Sequence, residues 1–225
     1  MKTQTAQAEV RARAEVADRI TLISMRFDSA AADAETWYRR AVEFYRDDIE
    51  AAAGKPVPAF HISSGFTVAG GRDTKVAGQC FPNEASADGL AHIFLNPRFV
   101  EPLALLNTVI HEVIHAAIGC EHGHRARFSR VAAACGMAKP WKATTWIDGA
   151  GKEKAELVAQ ALGPFPRAAF VAQGLKKQGA RMLKAVCPEC GYTVRLAKKW
   201  ASRALPICGV CFCDGDGEPV ALELA

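Results

Sequence analysis

The sequence predicts an α+β fold: helices packed with a small mixed sheet, followed by a small cysteine-rich C-terminal module. Three features predict it. Helical periodicity runs from Ala6 to Ala53, short β-like segments lie between Phe60 and Asn96, and two Cys-x2-Cys pairs crowd the end of the chain. At 225 residues there is room for one good domain and a small appendage. Half the residues are apolar and 23% charged, the balance of a folded, soluble protein rather than a disordered one.

From Ala6 to Ala53, Trp37, Ala41, Val42, Tyr45 and Ile49 recur at helical spacing, which predicts one or two amphipathic helices with a core-facing stripe. A break falls near "RFDSAAAD", with Asp33 placed to cap the second helix, and Gly54, Pro56 and Pro58 end it. The runs "FHISSGFTV" (60–68), "VAGQCF" (76–81) and "AHIFLN" (91–96) read as strands separated by turns. Pro97 stops the last, and Pro102 sits where the next helix begins. That helix, "LALLNTVIHEVIHAAIG", carries a broad apolar stripe of Leu103, Leu106, Ile110, Val113, Ile114 and Ala117, so it is expected to be well buried. Two further helices follow, "HRARFSRVAAACG" and "KEKAELVAQAL", before Gly163, Pro164 and Pro166 mark a boundary.

The segment "HEVIHAAIGCEHGH" holds four of the six histidines. On a helix, residues i and i+4 share a face, so His111 and His115 present two imidazoles to one point, the spacing that zinc coordination needs. Glu112 lies alongside, within reach of a water on the ion without being a ligand. Such a site suits peptide hydrolysis, with Glu112 as proton carrier. The alternative is a pair of core histidines bonded to backbone carbonyls. Catalytic zinc takes a third protein ligand. Position 121, six residues after His115, is a glutamate; Glu153 and Glu156 are distant carboxylates; His122 and His124 stand nearest. His61 and His92 are isolated in the sequence and are expected to be structural.

"HEVIH" followed by a short loop and "GHRARF" resembles the SprT-like metallopeptidases, the Spartan-related family. The resemblance implies a zincin-like metallopeptidase domain with His111, His115 and His124 as the catalytic-zinc ligands and Glu112 as the catalytic residue. It rests on Gly123, His124 and Phe128, which match a glycine, the third-ligand histidine and an aromatic four residues on; Arg125 stands where members often carry glycine. The strand "AHIFLN" is expected to be an edge that pairs with extended substrate backbone.

"CPECGYTVRLAKKWASRALPICGVC" is Cys-x2-Cys, seventeen residues, Cys-x2-Cys. This is zinc-ribbon spacing, with Cys187, Cys190, Cys208 and Cys211 as ligands of a structural zinc and a hairpin between the pairs. Cys213 could replace Cys208 or Cys211. Cys80, Cys120 and Cys135 are expected to be buried free thiols. A basic ribbon after the peptidase domain also occurs in SprT-like proteins, so the likeness runs from about Trp37 onward. The expected layout is a helical extension (1–35), the SprT-like zincin domain (36–165), a basic linker (166–185) and the ribbon (186–225).

Charge is distributed unevenly. Between Pro166 and Leu205, nine lysines and arginines face only Glu189, a net of +8 in a chain whose total is +4. With Tyr192 and Trp200 interleaved, this points to a polyanion partner, DNA above all. The polar N-terminus is neither signal peptide nor anchor, and no apolar run approaches the roughly 20 residues of a membrane span; the expected address is cytoplasmic, with no membrane partner. The reading that follows is a zinc endopeptidase whose substrates are proteins bound or crosslinked to DNA, as the resemblance to the family implies. A second reading, from another class, is a nucleic-acid-binding zinc protein whose histidine site is structural.

Overall fold

The computed structural model describes residues 2–66, 75–171, 182–214 and 219–225, and the chain divides into two compact units, Met1–Val171 and Ala172–Ala225. The fold is α+β, with seven helices among the described residues.

The first unit begins with α1 (Lys2–Ser24) and α2 (Ala34–Ala53). The break between them falls at the charged, small-residue stretch, and the Asp33 side chain accepts the Thr36 N–H at 2.7 Å to cap α2. Gly54 ends α2 with φ at 72°, a left-handed turn that glycine adopts without strain. The periodic stripe of Trp37, Ala41, Val42, Tyr45 and Ile49 is fully buried. Trp37 keeps its indole N–H satisfied by donating to the Gly163 carbonyl at 3.2 Å. Ile20 and Ile23 of α1 join the same core.

Three strands form the sheet in the order β1 (Phe60–Ser64), β3 (Ala91–Leu95), β2 (Gly78–Phe81). β1 pairs with β3 in parallel and β2 pairs with β3 antiparallel. The last two residues of the predicted first strand, 67 and 68, lie outside the described residues. The expectation for "AHIFLN" is corrected here: β3 is the central strand, paired on both sides, and the edges are β1 and β2. The alternation of β3 explains why. Ala91, Ile93 and Leu95 are buried against the helices, and a strand that supplies three core residues belongs in the middle of the sheet.

α3 (Pro102–Ile118) starts with Pro102 in its first turn, and the Glu101 carboxylate accepts the Leu103 and Ala104 N–H groups. It is the central helix, packed on α2, α4 (Ala126–Ala134) and β2. A two-stranded ribbon of β4 (Met137–Ala138) and β5 (Thr145–Trp146) follows, then α5 (Ala150–Leu162). Gly136, at φ 81°, and Gly151 touch through their backbones, 2.9 Å from the position of an added Cβ on Gly136 to the Gly151 Cα. This contact seats the start of α5 against the end of α4.

The second unit is a small antiparallel sheet, β7 (Thr193–Ala197), β6 (Met182–Val186), β8 (Glu223–Leu224), with two short helices, α6 (Lys198–Ala201) and α7 (Gly209–Asp214). Its buried core is Ala185, Cys187, Cys208 and Leu222. Among the described residues no helix is long and apolar enough to cross a membrane.

Candidate metal centres

α3 buries Asn107, His111, Glu112 and His115 among apolar neighbours. Desolvating an imidazole or carboxylate without a partner is unfavourable by several kcal/mol, so each of these groups needs an account. His111 and His115 sit one turn apart, with ring centroids 5.1 Å apart. The helix stops at Gly119, whose N–H donates to the His115 carbonyl. A 3-10 turn and Gly123, at φ 49°, then return the chain across the helix. This brings His124 Nε2 to 3.0 Å from His111 Nε2 and 3.1 Å from His115 Nε2. Phe128 of α4, fully buried, floors the cluster with its ring 4.7–5.0 Å from all three imidazoles.

The donors fit a zinc ion. With Zn–N bonds of about 2.0–2.1 Å, tetrahedral neighbours lie about 3.3–3.4 Å apart, close to the 3.0 and 3.1 Å here. Burial, together with the neighbouring histidines, lowers His111 to about 3 and His115 to about 4. His124 is lowered too, by burial and then by Lys142. The three rings are therefore neutral at ordinary pH, the form that binds a metal.

Thr144 completes this arrangement, and nothing in the motif announces it. Its hydroxyl donates to Asn107 Oδ1 at 2.8 Å and lies 3.0 Å from His111 Nδ1. A hydroxyl has one proton, so Nδ1–H of His111 is the donor in the second contact. That tautomer leaves Nε2 as a lone pair directed at the cluster, the role that outer partners of metal-bound histidines play.

Glu112 borders the same cleft, of about 590 Å³, together with His111, Asn107, Thr144 and β2. Burial raises its carboxyl to about 8, the neighbouring Cys120 thiol adds to the rise, and a hydrogen bond from the Cys80 backbone opposes it. Gly78 is what lets β2 approach. A Cβ there would come within 2.8 Å of Thr108 and 2.9 Å of the Glu112 side chain.

The other candidates are not brought to this point. His122 Nε2 lies 2.7 Å from Arg127 and 3.3 Å from Glu121. Glu153 pairs with Arg13 on α1, and Glu156 borders a separate cleft between α1 and α5. Of the three outlying cysteines, Cys135 is buried as expected. Cys80 and Cys120 are instead only half-buried, their sulfurs 3.5 Å apart. His61 and His92, isolated in sequence, are neighbours across β1 and β3.

In the second unit Cys187, Cys190, Cys208 and Cys211 gather their sulfurs. One contact from each pair to the other, Cys187–Cys211 at 3.7 Å and Cys190–Cys208 at 3.4 Å, compares with about 3.8 Å for thiolates around zinc at about 2.3 Å. The backbone N–H of Cys190 leads in drawing Cys187 down to about 7, towards the thiolate that a metal needs. The first pair occupies the turn between β6 and β7, but the second opens α7, so the expected hairpin between the pairs is replaced by β7 and α6. Cys213 is exposed and outside the cluster.

Replacing Thr144 by Val removes the acceptor for His111 Nδ1–H while keeping shape. Metal affinity at the histidine centre is expected to fall by about 10- to 100-fold, measured by chelator competition, with the circular dichroism spectrum unchanged.

A pH dependence also follows for the metal-free protein. Histidines lowered from 6.5 bind fewer protons folded than unfolded, so their share of stability is lost as pH falls below 6.5. Glu112, raised from 4.5 to about 8, acts oppositely, and its share is lost as pH rises towards 8. Thermal melts in chelator should show Glu112→Gln raising Tm relative to the unchanged protein more at pH 8 than at pH 6.

No protein-family model, curated protein or solved structure matches the chain. What stands is a buried three-histidine cluster beside Glu112 and a four-cysteine cluster, two candidate metal centres on one polypeptide.

Proposed function

We propose that the protein is a zinc-dependent endopeptidase of the SprT-like type, acting on DNA-associated or DNA-crosslinked proteins and brought to them by its basic zinc ribbon. The observation that carries this reading is the meeting of His111, His115 and His124 at one point, with Glu112 beside His111 on the wall of a cleft. Zinc held by three such ligands supplies polarisation of the scissile carbonyl and a water whose pKa is lowered to about 7.

The chain's own residues do the rest. Glu112 takes a proton from the attacking water and delivers it to the leaving amine. Its raised carboxyl suits that exchange, because positive charge beside it draws it back towards the ionised form. Gly78 keeps β2 close to Glu112, and the Cys80 backbone N–H on that strand holds the Glu112 carboxylate in place. Asn107 holds Thr144 through Oδ1, while its amide nitrogen, sealed inside the fold, has no acceptor among the described residues.

The ribbon supports the nucleic-acid part. Lys184 and Arg195 are direct cross-strand partners, both exposed. Like charges in that position repel, and a phosphate backbone relieves the repulsion. Trp200, 55% exposed, lies between Lys199 and Arg203, whose charged ends are 5.3 and 5.1 Å from its ring centroid. Cations for phosphate beside an exposed aromatic side chain suit single-stranded DNA.

Glu112→Gln should lower cleavage of a DNA-bound protein by about 100-fold or more, with metal content and DNA affinity unchanged. If the unaltered protein cleaves nothing and the variant is indistinguishable from it, the histidine centre is structural and the nucleic-acid-binding alternative holds. Lys199→Ala and Arg203→Ala should each weaken DNA binding at all sequences. Each should also reduce the slope of log K against log salt by about 1, measured by fluorescence anisotropy over a salt series.

A further inference from the structure

The outer face of the three-stranded sheet carries another group of metal-ligating side chains. His61 and His92 are register partners in parallel strands. The next residue in each strand, Ile62 and Ile93, is buried in the helical core. Alternation therefore turns both histidines to the opposite face, away from α3. Their rings lie 4.5 Å apart between centroids.

Asp88 reaches the same face from the turn between β2 and β3, which Gly89 closes at φ 70°. Both its carboxylate oxygens are held. Oδ1 accepts the Ser86 hydroxyl at 2.5 Å and the Leu90 N–H at 3.1 Å, and Oδ2 lies 2.6 Å from His61 Nε2. Those bonds, Ser86 first, keep the carboxyl well below the usual carboxylate range. Ser86 Oγ also lies 3.0 Å from His92 Nε2. One ligand atom from each of His61, Asp88 and His92 falls within 4.8 Å of the others.

We propose that His61, Asp88 and His92 form a third metal centre, distinct from the histidine and cysteine clusters, that takes a divalent first-row transition ion. Two imidazoles and one carboxylate suit zinc, nickel or copper, whereas magnesium and calcium prefer all-oxygen sets. Three ligands leave the remaining positions to solvent, which reaches the half-exposed His61 and Asp88 side chains directly. A hydrogen bond accounts for His61 with Asp88, and His92 reaches the same carboxylate only through Ser86; a shared ion would join all three directly. A bound ion ties β1, β3 and the β2–β3 turn together, linking three segments of one sheet face. Binding to the folded state alone raises its stability with ion concentration.

The test uses the full chain with its other two centres loaded with zinc and free metal removed by gel filtration. Zinc, and separately nickel, is titrated calorimetrically, and Tm is followed with added ion. The unaltered protein should take up one further equivalent and melt higher. His61→Gln, His92→Gln and Asp88→Asn, all partly exposed surface changes, should each weaken that uptake about 10-fold or more and remove the Tm shift. Circular dichroism separates lost binding from lost fold. If the unaltered protein takes up no further equivalent, or the histidine variants bind it as tightly, the cluster is an ion pair only and the proposal falls. Peptidase activity enters neither outcome, so the test stands apart from the reading of the histidine centre.

Discussion

The structure is organised around one electrostatic constraint: ionisable groups buried in its most apolar helix must stay uncharged until a cation arrives. α3 is surrounded by α2, α4 and β2, yet it carries two histidines and a glutamate on its buried surface. Burial keeps the imidazoles neutral and pushes the carboxyl towards its protonated form. Both effects come from the same desolvation and act in opposite senses on base and acid. Phe128 beneath the rings and Gly78 beside Glu112 belong to this arrangement, since one excludes water and the other lets the sheet edge close over the helix.

The two candidate metal centres answer different physical needs. The histidine cluster sits on a large core that folds through ordinary apolar burial, so a metal there is free to serve chemistry, and three ligands leave a position open. The cysteine cluster sits in a unit whose buried core is four residues, two of them its own ligands. A core that small supplies little folding free energy, and a metal held by the four cysteines would supply the remainder. Its surface carries charge, as the exposed Lys184–Arg195 pair and the Trp200 cluster illustrate.

The features legible in the sequence are those in which neighbours in the chain are neighbours in space. The Asp33 cap, the Pro102 start of α3, the stripe around Trp37 and both Cys-x2-Cys pairs are local, and each follows from helical periodicity or close spacing over a few residues. The pair His111 and His115 is legible for the same reason. Strand order is not local. Alternation marks β3 as a strand but carries no statement of which strands flank it, and its identification as an edge fails on that point. Thr144 is equally hidden: it lies 33 residues from the histidine it orients, in a short segment with no periodicity of its own.

By itself, the sequence determined the kinds of ligand and their number: imidazoles one helical turn apart with a glutamate between, and thiols in two Cys-x2-Cys pairs. Covalent spacing and the helix repeat dictate these whatever the rest of the chain does. Only the tertiary structure decided which side chains complete each site. The return of the chain through Gly123 selects His124 over His122, the β4–β5 ribbon brings Thr144 to His111, and parallel pairing sets His61 beside His92. Each depends on the register of segments distant in sequence, which packing against a shared core settles and composition does not encode.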